Sequence, residues 1–281
     1  MADTTIEWAT KVWNVVRGCE RVAPECQNCY AEKQAHRFSG KGQPYEGLTK
    51  LTSNGVRWTG EVKIIRSLLR LPLTWKTPER VFVNSMADLF HKDVPTWFIH
   101  DVLEMIEKCE QHTFLILTKR PENLIKFLEE TGNHRDTINK LDNCWFGVSA
   151  GSQKTVDKFL PLLLQVPARN LFISCEPLLE QIDISRYLAI SNPVTNIMQE
   201  YIYDSKIRWI IAGAESGKGK GVRPMSDDWV RSLRDQCKKF GVDFFYKQAM
   251  DEKKNKISLP VLDGRQWADF PSVEGRQCPL V

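Results

Sequence analysis

The chain has 281 residues, 42% of them hydrophobic, with 39 basic against 35 acidic side chains for a net charge of +4. That apolar content suffices for a substantial core, which excludes a disordered chain, and charge so nearly balanced does not by itself single out a nucleic-acid partner. The eight cysteines, at 19, 26, 29, 109, 144, 175, 237 and 278, are isolated in apolar surroundings outside the first three. They do not read as a disulfide framework. Met1-Ala2-Asp3-Thr4 opens no apolar leader and no apolar run reaches membrane-spanning length, so a cytoplasmic protein with no membrane partner is expected.

In chain order, residues 12–16, Val-Trp-Asn-Val-Val, are rich in β-formers and predict a first strand delivering the stretch 18–30. A helix is expected over 29–38. Residues 39–60 read as a Gly-, Thr- and Ser-rich loop insertion with little periodicity, a lid or a loose connection. From Glu61 the pattern becomes regular. Strands are predicted at 62–65, 81–84, 114–118, 144–149, 171–174, 209–213 and 244–246. Helical stretches alternate with them over 68–75, 96–109, from Pro121, and over 152–165, 178–188 and 227–240. The strands are nearly continuous in apolar character, as in a parallel sheet covered on both faces. With the first strand the count is eight, which predicts an α/β fold of the (β/α)8 TIM-barrel type, complete or irregular, with an open doubly wound sheet as the rival. The barrel would occupy 1–250 as one domain, and 251–281 would be a C-terminal extension with a hairpin around Asp263-Gly264.

In a parallel barrel the C-terminal strand ends converge on one face, so the residues that follow each apolar run line the site. Here they are Asn84, Ser85 and Asp88, then Lys119, Ser149, Ser174 and Glu176, then Gly213, Glu215 and Ser216, and last Lys247 with Gln248. The run Gly213-Ala214-Glu215-Ser216-Gly217-Lys218-Gly219 is not a nucleotide-triphosphate loop, because Lys218 is followed by Gly219 where a magnesium-holding hydroxyl belongs. It reads as a Gly-rich loop whose amides can cradle an anion, or as an ordinary turn. Lys119, Arg120, Lys218, Lys220, Arg223, Lys247, Lys253 and Lys254 are candidates for a basic rim suited to nucleic acid, or for a plain solvated surface. Trp75, Trp97 and Trp229 fall on predicted helices and read as core.

The first loop carries the most specific signal. Cys19, Cys26 and Cys29 stand in a C-x6-C-x2-C spacing, with Pro24 in the loop between them. Three thiolates this close repel one another unless an electron-poor centre stabilises them, so they point to a metal site. The residues leave three readings open: an iron–sulfur cluster with one iron free, zinc with His36 or water as a fourth ligand, or three reduced thiols. His91, His100, His112 and His134 show no ligand spacing.

Residues 5–8 (Thr-Ile-Glu-Trp), 12–15, 18–32, 81–90 (Val-Phe-Val-Asn-Ser-Met-Ala-Asp-Leu-Phe) and 212–217 (Ala-Gly-Ala-Glu-Ser-Gly) together resemble the phage-associated three-Cys-motif protein family. That family has no established substrate and is itself similar to radical S-adenosylmethionine (radical SAM) enzymes. The resemblance implies a [4Fe–4S] cluster on Cys19, Cys26 and Cys29, with S-adenosylmethionine on the free iron and contacts from the strand-end residues. An electron donor is implied as a partner, and the chemistry would be radical initiation on an unidentified substrate, nucleic acid or nucleotide being the candidate class. The sequence departs from the usual radical SAM pattern in its six-residue first gap, and in placing the aromatic Tyr30 after Cys29 rather than before it. The rival is a non-catalytic module, stapled by zinc or a cluster, that grips nucleic acid or a partner protein. A hydrolase built on Asp88, Glu176 and Glu215 is a third reading that lacks a histidine ligand set.

Overall fold

The computed structural model describes residues 4–130, 134–189, 206–217, 221–253 and 255–271. Lys218, Lys220, Lys254 and Cys278, named above, lie outside them. The chain divides into two compact units, 1–145 and 146–281.

In the first unit the sheet strands are β1 (Lys11–Trp13), β2 (Arg80–Val83) and β3 (Thr113–Thr118), paired in parallel β1 to β2 and β2 to β3. The helices are α1 (Tyr30–His36), α2 (Thr96–Lys108), α3 (Pro121–Glu129) and α4 (His134–Lys140). α2 buries Phe98, Ile99, Val102, Leu103 and Ile106, a spacing that keeps one helical face apolar. Pro121 opens α3, where its missing N–H costs nothing. The insertion holds an antiparallel hairpin, Thr49–Thr52 with Gly55–Trp58, turning on Ser53-Asn54. Its inner side packs with α1: Ala31, Ala35, Tyr45, Leu48, Trp58 and Met86 form a small core that Cys19 and Cys29 touch.

The second unit carries β5 (Asn170–Cys175), β6 (Ile207–Gly213), β7 (Asp243–Met250) and β8 (Lys256–Ser258), with β4 (Cys144–Ser149) at the division between the units. β5–β6 and β6–β7 pair in parallel and β7–β8 antiparallel. α5 (Gln153–Leu163), α6 (Ser185–Leu188) and α7 (Asp227–Lys239) complete it. Ser152 and Ser226 cap α5 and α7, accepting from Thr155 and Asp228 backbone N–H groups. Gly147 has no room for a side chain, since a Cβ there would sit 2.5 Å from the Phe172 ring. The expected Asp-Gly hairpin is present, Val261–Leu262 with Arg265–Gln266.

The eight strands run in the order β1 to β8 within one hydrogen-bonded sheet that has two ends. The expected closed barrel is therefore corrected to an open, mostly parallel sheet. Two local facts account for this. The predicted second strand is only Lys63–Ile64, and it pairs antiparallel with Val16–Arg17 outside the large sheet. The far side of β7 is taken by the antiparallel β8, so the edge strand needed for closure is occupied. Within the first unit, Pro72 splits the expected 68–75 helix into short 3-10 turns at Arg66–Leu68 and Leu71–Thr74. In the second, the helix expected over 178–188 shrinks to α6, because the Leu178 and Leu179 N–H groups bond to the carbonyls of Gly213 and Gly151.

Buried imidazoles give the fold a pH dependence. His91, His112 and His134 are each 1–2% exposed, and burial holds each below the ordinary imidazole range. The folded state thus binds fewer protons than the unfolded state once pH falls below about 6.5. Their contribution is intact above that pH and is lost as pH drops toward the depressed folded values. Urea midpoints between pH 7.5 and 5.5 should fall with a slope of about 1.4 kcal/mol per pH unit for each histidine responding. A His112→Gln and His134→Gln double variant should flatten the slope.

Candidate functional site

The cysteine loop leaves β1 through Gly18 and is pinned at both ends on the segment that follows β2. Gly18 has φ +91°, and a Cβ there would run into the Glu61 carbonyl, so only glycine fits. It forms a parallel bridge to Ala87. At the other end the Tyr30 hydroxyl donates to the Ser85 carbonyl at 2.8 Å. Between them Pro24–Cys26 makes a single 3-10 turn, and Cys29 caps α1 at its start.

The three thiols are half-buried and unbridged. Burial pushes the Cys19 thiol up to about 12, against the opposing pull of Arg120. Burial also raises Cys29, with Lys119 opposing. The Cys19 Sγ donates to the Glu20 carbonyl at 3.4 Å, while Arg120 Nη1 lies 3.7 Å from the same sulfur. Arg21 is clamped on the buried Glu32 by two bonds, at 2.9 and 2.5 Å, and its charge is felt at Cys26 and Cys29. Among the described residues no three His, Cys, Asp or Glu side chains form a group that could hold a metal ion. His36, the candidate fourth ligand, bonds to Thr49 and Ser39 instead.

The residues after β2 and β3 form the floor beside this loop. Asp88, 4% exposed, accepts from the Thr118 hydroxyl, the backbone N–H groups of Phe90 and Lys119, and Arg120 Nη1 at 3.0 Å. Its oxygens are thereby committed to the protein. Arg120, 6% exposed, also donates through Nη2 to the Glu20 carbonyl at 3.0 Å. Asn84 takes a positive φ of 60°, and its Oδ1 accepts from the Val16 N–H. Its Nδ2 is buried without a partner. Ser85 donates to Asn14 Oδ1 at 3.2 Å.

In the second unit a separate polar cluster gathers at the strand ends. Glu176 accepts from Ser174 Oγ at 3.0 Å and from Lys247 Nζ at 2.8 Å, and its carbonyl accepts from Ser149 Oγ. Gly213 is required here, because a Cβ would stand 2.8 Å from Glu176 Oε1. Gln248 donates to the Ala214 carbonyl and to Ser216 Oγ, and Glu215 is held by the Arg223 side chain and backbone. The structure thus brings Ser149, Ser174, Glu176, Gly213 and Lys247 together, and Glu215 with Ser216 stands on the adjoining loop. The expected basic rim loses three members to interior pairs: Arg120 with Asp88, Arg223 with Glu215, and Lys247 with Glu176. Sequence reasoning did not single out Arg120 as the partner of Cys19, nor the Arg21–Glu32 clamp or the buried His91, whose Nε2 lies 3.7 Å from Glu20 Oε1. Only the position of Arg120 at the end of β3 pointed inward.

No curated protein matches the chain. Three solved chains that share its fold only distantly are all described as spore photoproduct lyase. The form complexed with dinucleoside spore photoproduct is 12% identical with a TM-score of 0.44, over 85% of this chain and 64% of that one. A doubly substituted mutant with bound AdoMet and the same dinucleoside is 12% identical at 0.40, over 82% and 62%. A cysteine-to-serine mutant is 11% identical at 0.45, over 85% and 75%. The chain thus spans a little under two thirds of the first two. A family profile matches residues 3–271, nearly end to end, and on that match the chain belongs to the DUF5131 family, described as proteins of unknown function.

Proposed function

We propose that the chain is a radical-SAM-like iron–sulfur enzyme, with Cys19, Cys26 and Cys29 as the ligands of a [4Fe–4S] cluster. The observation that supports this reading most directly is the cysteine loop and its cations. Three half-buried thiols, two of which burial keeps protonated, need a positive centre to ionise, and Arg21, Lys119 and Arg120 stand where they offset the resulting charge. The donor set fits such a centre. When bound, the cluster and S-adenosylmethionine supply one-electron reductive cleavage and a radical initiator.

The chain's own residues orient and shield. Gly18 and Tyr30 fix the two ends of the loop, Arg120 and Lys119 balance thiolate charge, and the orphaned Nδ2 of Asn84 is a donor ready for a carboxylate. Ser85 and Asp88 complete that floor. In the second unit Glu176 with Lys247, Ser149 and Ser174, and Glu215 with Ser216 beside Gly213, are assigned to the polar groups of S-adenosylmethionine or substrate. An external electron donor is required.

Anaerobic purification followed by iron and sulfide reconstitution tests the reading. About four irons per chain, and 5′-deoxyadenosine released from S-adenosylmethionine under dithionite, are expected. Stoichiometric zinc with no iron would overturn it in favour of a metal-stapled binding module.

A nucleic-acid or nucleotide substrate is the finer part of the proposal. The outer face of α1, directly after Cys29, exposes Lys33 and Arg37, with Tyr30 47% and Phe38 45% exposed beside them. Cations interleaved with exposed aromatics suit phosphates and stacked bases. Lys33→Glu with Arg37→Glu should weaken binding of a single-stranded oligonucleotide about tenfold and cut the slope of log Kd against log salt by roughly 1.4. Unchanged binding would remove this face from the substrate path.

A further inference from the structure

Arg120 is placed with more care than a surface cation needs. It sits at the end of β3, immediately before the Pro121 that opens α3, and its backbone N–H donates to Thr118 Oγ1 at 2.9 Å. The guanidinium is 6% exposed and spans three groups: the Asp88 carboxylate at 3.0 Å, the Glu20 carbonyl at 3.0 Å and the Cys19 sulfur at 3.7 Å. Asp88 is itself held by Thr118 and by the backbone of Phe90 and Lys119, so it cannot swing away. A buried, doubly anchored arginine with one N–H turned to a sulfur is a preorganised donor. In the thiol form Cys19 gives its own proton to the Glu20 carbonyl. As a thiolate ligand it can only accept, and Arg120 is already in place to donate.

We infer that Arg120 is a positioning residue that sets the reduction potential of the cluster bound by the loop, by donating to the Cys19 thiolate from a seat fixed by Asp88. The inference rests on the proposed cluster. The direction follows from charge: a cation and a hydrogen bond at a ligand sulfur favour the more electron-rich, reduced state, so their removal makes reduction harder. A hydrogen bond to a charged group is worth enough to change an equilibrium about tenfold.

The test is an EPR-monitored redox titration of reconstituted wild type, Arg120→Gln and Arg120→Lys, with iron counted in each. Arg120→Gln should retain the cluster while its one-electron reduction constant falls about tenfold, a shift of about 59 mV to more negative potential. Arg120→Lys keeps the charge but loses the fork, and should shift in the same direction by less. It also carries the test if the glutamine variant fails to fold. A wild type that loads no cluster overturns the proposed function and this inference together. Loaded variants with the wild-type potential overturn this inference alone and leave the function standing.

Discussion

Asp88→Ala should cost about 3–5 kcal/mol of stability, on the order of 10 °C in melting temperature. The carboxylate neutralises Arg120 in the interior and also answers the Thr118 hydroxyl and two backbone N–H groups. Truncation leaves a buried guanidinium facing the Glu20 carbonyl and a sulfur, with nothing of opposite charge in contact except the more distant Glu20 carboxylate at 3.9 Å. Asp88→Asn keeps the shape and one acceptor, so it should lose markedly less. Thermal melts and urea titrations of the three proteins decide the matter. A loss below about 1 kcal/mol for the alanine variant would mean that the network is ornamental to the fold.

Cys26→Ala should do the opposite. The thiol is only half-buried, so its removal should leave stability within about 0.5 kcal/mol of wild type. Iron after reconstitution should nevertheless fall to background, because two remaining thiols cannot retain the cluster, and no 5′-deoxyadenosine should form. Cys144→Ala is the control: that residue is fully buried in β4 and its loss should weaken the fold without touching iron content. Full iron loading in Cys26→Ala would take this residue out of the ligand set.

The contrast between those two positions follows what the sequence made legible. Strands such as 144–149 and 171–174 announced themselves because every residue in them is buried, and an unbroken apolar run needs no partner information to be read. The hairpin in the insertion did not. Thr49-Lys50-Leu51-Thr52 shows no apolar alternation, and Leu51 is 74% exposed, so only the contact of Trp58 and Leu48 with α1 reveals why it forms. Barrel closure failed as an expectation because edge pairing depends on which strand arrives last, a long-range fact with no local signature. At the site, the cysteines were visible from spacing, while the Arg120–Asp88–Cys19 network joins residues far apart in the chain. Polarity at strand ends signalled that Asp88 mattered, and only the three-dimensional arrangement showed that its acceptors are spent on the protein.

The double attachment of the cysteine loop bears on the order of events in metal loading. With Gly18 bridged to Ala87 and Tyr30 tied to the Ser85 carbonyl, most of the conformational entropy of the loop is surrendered during folding rather than at metal capture. The protein is thus unlike a zinc finger, in which the ion and the fold form together. A chelator should strip the centre and leave a folded chain that takes it up again without refolding.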